Sequence, residues 1–383
     1  MTLELFLSSK PLFYDVIDIE RFPKVYAQIQ STFHFPKIIH IVGTNGKGST
    51  GRFLATALYR SGKTVGHYTS PHIVRFNERI WMDGCNVHDN DLEEAHQKLL
   101  KILGQNCADT LSYFEYTTLL AMVVFESCDY VVLEAGLGGE FDATNVLDKI
   151  LSIFTPIDFD HSAFLGNTIE SIASTKLRSM TDMALMGKQP HIETKIIARE
   201  IATQKNCTML CIDGMASEQI KEKALHIAIK NDLSDYLRDN LELAMAAFEI
   251  LGYTAEVEWF DQEALFGRLT KIRDNITLDV GHNALAARSI VETFAGKKIT
   301  LIYNTYADKD YREILTILAP IIECVEIIEV DEARIVKQEL LESVLSKLGI
   351  EYYQFNKIDE NKEYLVFGSF SVAEAFLKRI NSN

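Results

Sequence analysis

Apolar runs of strand length alternate with segments of helical period along most of the chain. Lys37–Val42 (KIIHIV) reads as a buried strand. Ser49–Arg60 follows with Phe53/Ala57 and Leu54/Leu58 one turn apart and Gly62 just past the end, which predicts a helix. Thr64–Thr69 is a second strand. Asn90 with Glu93, and Ser112 with Glu115, are capping-box signals for two helices, the first carrying Leu92, Ala95, Leu99 and Leu103 on one face. Strands Tyr130–Leu133 and Ile150–Phe154 come next, the second running into a loop rich in Asp and His. The pattern restarts with a strand at Ile276–Val280, a helix after Asn283, strand Ile299–Tyr303, a helix near Arg312, strand Val325–Val330, a helix near Leu340 and strand Tyr364–Phe367. Such alternation predicts an α/β protein with largely parallel sheets.

Length turns this into two domains: 383 residues are too many for one ordinary core, and the restart puts the boundary near Phe266, giving domains 1–266 and 267–383. With 47% hydrophobic residues and 24% charged ones, the chain can bury both cores. Its 38 basic against 54 acidic residues leave a net charge of -16, so nothing attracts a phosphate backbone globally and no nucleic-acid partner is expected. The longest apolar stretch, around Tyr116 to Phe125, is far short of the roughly 20 residues that span a membrane. The opening MTLELFLSSK does not read as a signal peptide. Six cysteines without a CxxC pair favour reduced thiols, and the expectation is a cytoplasmic monomer with small-molecule partners.

The sharpest local feature is Gly43-Thr44-Asn45-Gly46-Lys47-Gly48-Ser49-Thr50, set between a predicted strand and a predicted helix. Glycines let backbone N–H groups approach an anion, the helix start adds positive potential, Lys47 supplies a cation, and a hydroxyl can hold magnesium. It is a variant loop, because Gly48 separates Lys47 from Ser49 and Ile41 stands where the strict motif has glycine. A P-loop-type, mostly parallel N-terminal ATPase domain with a smaller Rossmann-like C-terminal domain is therefore the expected architecture. Glu134 ends an apolar strand, where a carboxylate can meet a nucleotide-bound metal at the sheet's carboxyl edge. Other residues are less telling alone: His161 reads as a hydrogen-bonded structural histidine, Lys176 as a solvated helix lysine and Arg268 as a surface ion-pair partner. Phe114 reads equally as a stacking surface and as a staple at a helix start.

GTNGKGST resembles the ATP loop of the Mur ligase superfamily, and in particular its folylpolyglutamate synthase and dihydrofolate synthase branch. Further segments similar to that branch run along the chain in order: Tyr68-Thr69-Ser70-Pro71-His72 with Arg75-Phe76-Asn77-Glu78-Arg79, Leu133-Glu134-Ala135-Gly136-Leu137-Gly138-Gly139 with Asp142-Ala143-Thr144-Asn145, Asp160-His161 with Leu165-Gly166, and Asp279-Val280-Gly281-His282-Asn283. Shorter matches are Ser112-Tyr113-Phe114-Glu115, the helix opening at Asn240, Gly267-Arg268-Leu269, Asp308-Lys309-Asp310 and Gly368-Ser369-Phe370. Two departures stand out: Thr175-Lys176-Leu177-Arg178 replaces the branch's EKAG, and Phe266 replaces the proline of its PGR hinge.

The resemblance implies an ATP-dependent ligase that joins L-glutamate to dihydropteroate, and to reduced folates, through an acyl phosphate. It implies ATP bound by residues 43–50 with Asn240, Arg268, Asp279 and His282, and magnesium held by Ser49, Ser70, Glu134 and His161. Lys47, His161 and a carbamylated Lys176 would serve catalysis; His72, Arg75 and Phe114 would face the acyl substrate, and Asp308 and Lys309 the incoming glutamate. By the same resemblance the first domain binds ATP and pterin and the second closes over the nucleotide. The alternatives are a Mur-type ligase acting on a muropeptide and a P-loop regulatory ATPase.

Overall fold

The computed structural model describes residues 1–11, 18–34 and 36–381, and the chain divides into two compact units. The first comprises Met1–Ile227 and Asp239–Asp261, the second Ala228–Arg238 and Gln262–Asn383. The expected division at Phe266 did not separate out residues 228–238, which group with the second unit.

An eight-stranded sheet forms the first unit: β1 (Lys37–Val42), β2 (Val65–Tyr68), β3 (Ile80–Met82), β4 (Cys85–Asn86), β5 (Tyr130–Glu134), β6 (Leu151–Phe154), β7 (Met183–Met186) and β8 (Thr208–Cys211), in the order β4-β3-β2-β5-β1-β6-β7-β8. All neighbours are parallel except β3, which runs against both β2 and β4. From β1 the chain fills the sheet leftwards through β2 and β5 and then rightwards through β6, β7 and β8. The strand order thus reverses about β1, and the carboxyl ends of β5, β1 and β6 border a crevice of the kind that binds ligands in open α/β sheets. Burial explains why β1 reads as a continuous apolar run: Ile38, Ile39, Ile41 and Val42 are fully covered, with cores on both faces of the sheet.

The second unit has a six-stranded sheet: β9 (Thr270–Arg273), β10 (Ile276–Leu278), β11 (Ile299–Tyr303), β12 (Ile322–Ile327), β13 (Glu351–Gln354) and β14 (Tyr364–Phe367), in the order β13-β12-β11-β14-β10-β9. Only β9 is antiparallel to its neighbour. Its core is built from Leu301, Tyr303, Val325, Leu365 and Phe367 with helices Ala284–Thr293, Tyr311–Leu318 and Gln338–Leu348.

Helix signals fared unequally. Ser112 and Glu115 form the reciprocal capping box expected of them. Asn90 and Glu93 do not: the helix runs Asp89–Leu103 from His88, and the Glu93 carboxylate instead accepts the Leu3 N–H at 2.8 Å. Among the described residues no helix is long and apolar enough to cross a membrane, and all six cysteines are free.

Candidate active site

The loop after β1 turns directly into helix Lys47–Arg60, two residues earlier than the apolar spacing suggests. Its cap is Gly46 at φ +86°, a left-handed conformation natural to glycine, and a Cβ there would lie 2.4 Å from Asn240 Oδ1. Asn240 is buried and also accepts a hydrogen bond from Thr50 Oγ1 at 3.4 Å, so it seats the helix start from behind. The first N–H groups of a helix have no partner within it, and here they open at the carboxyl edge of the sheet, where an anion would complete them. Lys47 Nζ lies over the loop, donating to the carbonyls of Gly43 at 3.2 Å and Thr44 at 3.1 Å, and 3.9 Å from Glu134 Oε1.

Glu134 ends β5 beside β1 and is 5% exposed. Its Oε2 accepts from Thr69 Oγ1 and from the Ser70 N–H at 3.3 Å, tying the end of β5 to the segment after β2. That segment is fixed from its far side. Glu78 accepts the N–H groups of Ile73, Val74 and Arg75 at 2.7, 2.9 and 2.8 Å, while buried Arg79 donates from Nε to His72 Nδ1 at 2.8 Å. Burial first, and the Arg79 guanidinium second, bring His72 down to about 4. Arg75 points elsewhere: its guanidinium is exposed and pairs with Asp89 at 2.9 Å. Phe114 lies 5.8 Å from the Tyr68 ring and covers Gly136, where a Cβ would sit 2.6 Å from its Cζ. It is half-buried at the edge of the core, with part of its surface open.

Lys176 is buried rather than solvated, at 3% exposure, and its Nζ donates to the same Gly43 carbonyl at 2.9 Å. Burial, and then the neighbouring Lys47 ammonium, pull the Lys176 amine down to about 7. His161 adopts φ +52° at the start of a short helix and is exposed, its Nε2 3.9 Å from Asp160 Oδ2.

The site residues of the second unit cluster around two loops. Asp279, after β10, accepts from Tyr236 OH at 2.9 Å, Leu269 N at 3.0 Å and Gly281 N at 2.7 Å. Arg268 and His282 approach the Phe370 ring, with the guanidinium 5.4 Å from its centre. Asn283 caps helix Ala284–Thr293 through the Ala286 N–H. Asp308 pairs with Arg334 at 3.0 Å and lies 4.0 Å from buried Lys309. Arg334 belongs to a later loop that carries no motif, so sequence reasoning had no signal for it. Thr69, Glu78 and Arg79 sit inside quoted motifs, but their roles depend on contacts that spacing does not disclose.

A divalent ion with oxygen ligands fits the first unit on one further observation: Ser49 Oγ is fully buried and has no hydrogen-bond partner. Among the described residues no three His, Cys, Asp or Glu side chains converge as a metal cage. An unsatisfied hydroxyl and a strand-end carboxylate are oxygen donors of the kind magnesium takes.

The Lys176 amine makes stability depend on pH. Unfolded, it titrates near its ordinary value of 10.5; folded, at about 7, so the unfolded chain holds more protons between these values and stability rises with pH across that window. Lys176→Met should flatten this rise, measured as the change in urea midpoint from about pH 7 to about pH 9 in bicarbonate-free buffer. Identical pH responses in the two proteins would show that the amine titrates normally.

No protein-family model matches the chain. A folylpolyglutamate synthase from Lacticaseibacillus casei is 30% identical over 320 residues, covering 72% of this chain and 72% of that protein. A dihydrofolate synthase/folylpolyglutamate synthase from Haemophilus influenzae is 29% identical over 343 residues, 80% of this chain and 77% of its own. The crystal structure of Helicobacter pylori folylpolyglutamate synthetase matches with a TM-score of 0.81 at 40% identity, over 100% of this chain and 98% of that one. Sequence and fold agree over nearly the full length, and the chain belongs to the folylpolyglutamate synthase and dihydrofolate synthase family of the Mur ligases.

Proposed function

We propose that this chain ligates L-glutamate to dihydropteroate and to reduced folates, with ATP cleaved to ADP and phosphate. The observation that carries the reading is the convergence of the open helix start, Lys47 and Glu134 at the carboxyl ends of β1 and β5. The names of the relatives supply the substrate class. In this reading residues 1–266 serve ATP and the pterin, and residues 267–383 the glutamate. Six free thiols support a reducing compartment, the cytoplasm.

The acceptor's carboxylate oxygen attacks the γ-phosphorus of ATP, the bond to the β,γ-bridging oxygen breaks, and ADP leaves. The amine of glutamate then attacks the acyl carbon; the bond to the phosphate oxygen breaks, inorganic phosphate departs, and the amine proton passes to solvent. Most of the catalysis is positioning and charge stabilisation. The N–H groups at the helix start and the Lys47 ammonium hold the phosphates, and Asn240 keeps that turn in place. By the family resemblance Ser49, Ser70, Glu134 and His161 would hold a magnesium ion, which would draw charge from the transferring phosphoryl group. By the same resemblance Arg268, Asp279 and His282 are assigned to ATP, and Asp308 and Lys309 to the glutamate. His72 offers a neutral imidazole to the acyl substrate, and the open part of Phe114 a stacking surface for the pterin.

Lys176 is proposed to carry a carbamate. Carbamate formation needs an unprotonated amine, and a value of about 7 supplies one at neutral pH. Carbon-13 NMR with labelled bicarbonate should show a carbamate signal that Lys176→Met lacks; no difference between the two spectra would end this part of the reading.

Lys47→Ala should lower turnover by about a hundredfold or more, as the loss of one preorganised donor to transition-state charge does. Near-normal turnover in a folded variant would refute the role. A substrate panel with purified protein, scored by ADP release and product mass, tests the whole reading. Glutamate-dependent ADP release is expected with dihydropteroate and tetrahydrofolate, and none with a muropeptide, because a pocket built for a pterin edge leaves polar groups unpaired without it. Activity with the muropeptide alone would move the chain to another Mur branch, and phosphate release independent of carboxylate and amine would favour a regulatory ATPase.

A further inference from the structure

The front half of the phosphate loop is held by a segment that carries none of the quoted motifs. The N–H groups of Thr44 and Asn45 donate to the Pro156 carbonyl at 2.8 and 3.3 Å. Thr44 Oγ1 donates to the Asp158 carbonyl at 2.9 Å and accepts from the Asp158 N–H at 3.0 Å. Residues 44 and 45 thus take their position from residues 156–158, just beyond β6.

That segment has left the sheet, and two side chains from the loop after β7 hold it. Gln189 binds both neighbours of Pro156: its Oε1 accepts the Ile157 N–H at 3.0 Å and its Nε2 donates to the Thr155 carbonyl at 3.1 Å. The same Nε2 lies 3.2 Å from the Gly187 carbonyl, which anchors the amide to its own loop. His191 Nε2 bonds the buried Asp158 carboxylate at 2.8 Å. One side chain brackets the carbonyl that orients Thr44 and Asn45, and the other grips the residue that holds the Thr44 hydroxyl.

We propose that Gln189 and His191 are positioning residues for ATP, acting through residues 155–158 on the phosphate loop. This rests on the ATP reading above. The purpose is geometric: Lys47 and the helix-start N–H groups follow Asn45 and Gly46 directly, and small misplacement of such groups is costly to catalysis. Neither side chain serves the acyl acceptor in this scheme, so its binding is unaffected.

The experiment is ATP titration by calorimetry on the purified full chain without acceptor, followed by steady-state kinetics varying each substrate. Wild type should bind ATP; if it does not, the ATP reading itself falls, before any variant is made. His191→Leu and Gln189→Leu should each weaken ATP binding and raise its KM roughly three- to tenfold, the worth of one lost hydrogen bond, with the acceptor KM unchanged. His191→Gln, whose Nε2 can reach Asp158, should restore ATP affinity. Normal ATP affinity in both leucine variants of a wild type that binds ATP would overturn the proposal. So would equal losses toward ATP and acceptor that His191→Gln fails to restore, since those are the marks of a merely structural role. Should Gln189→Leu fail to fold, the half-buried His191 pair of variants decides the question alone.

Discussion

The N–H groups at the start of helix Lys47–Arg60 cannot be satisfied within the helix, and no cap side chain closes them off. The cap residue is Gly46, which has no side chain to fold back on the first turn. Asn240 occupies the back of the turn, and residues 156–158 absorb the N–H groups of Thr44 and Asn45. What stays available lies at the carboxyl edge of the sheet, beside Glu134. A helix start prepared in this way favours negative charge through both its dipole and its oriented donors.

Charge around the loop is balanced on a single backbone atom. The Lys47 and Lys176 amines both donate to the Gly43 carbonyl, at 3.2 and 2.9 Å. Two ammonium groups sharing one carbonyl repel each other, and the deeper one has no water to screen it. Burial first, and the Lys47 ammonium second, make Lys176 give up its proton more readily; the Glu134 carboxylate lies 3.9 Å from Lys47. Departure from the family's EKAG at 175–178 did not remove the lysine from the site: helix Ile169–Leu177 packs so that Lys176 faces the loop, and the backbone of Lys176 lies so close to Gly139 that a Cβ there would meet its carbonyl at 2.6 Å.

What the sequence made legible was local. Strands β1, β11 and β14 run over the residues their apolar pattern suggests, and Ser112 with Glu115 caps its helix. Asn90 and Glu93 have the same spacing and fail, because the helix already starts at Asp89, which puts Asn90 inside the first turn, and Glu93 accepts the Leu3 N–H instead. Strand β12 begins at Ile322 rather than Val325, since Ile322 and Cys324 already pair with β11. The short strands β3 and β4 and the pair β7 and β8 carry no distinct signal of their own, being only two to four residues long. In the site, residue types at fixed spacing marked Lys47 and Glu134, whereas nothing local marks Gln189 or Arg334. Arg75 shows the converse: a motif arginine whose guanidinium lies exposed against Asp89.

The variant spacing of the phosphate loop has its own physical logic. Inserting Gly48 after Lys47 moves the hydroxyl residue one position along the helix, a rotation of about 100°. Two hydroxyls then compete for the role the strict motif gives to one. Thr50 is engaged by Asn240, whereas Ser49 Oγ is buried with no partner in the protein. Leaving a buried hydroxyl unpaired costs about 1–3 kcal/mol, and a cation at the phosphates would relieve that cost only while nucleotide is bound. The fold thus leaves the Ser49 hydroxyl unsatisfied at the start of the helix, which is where the proposed magnesium site would use it.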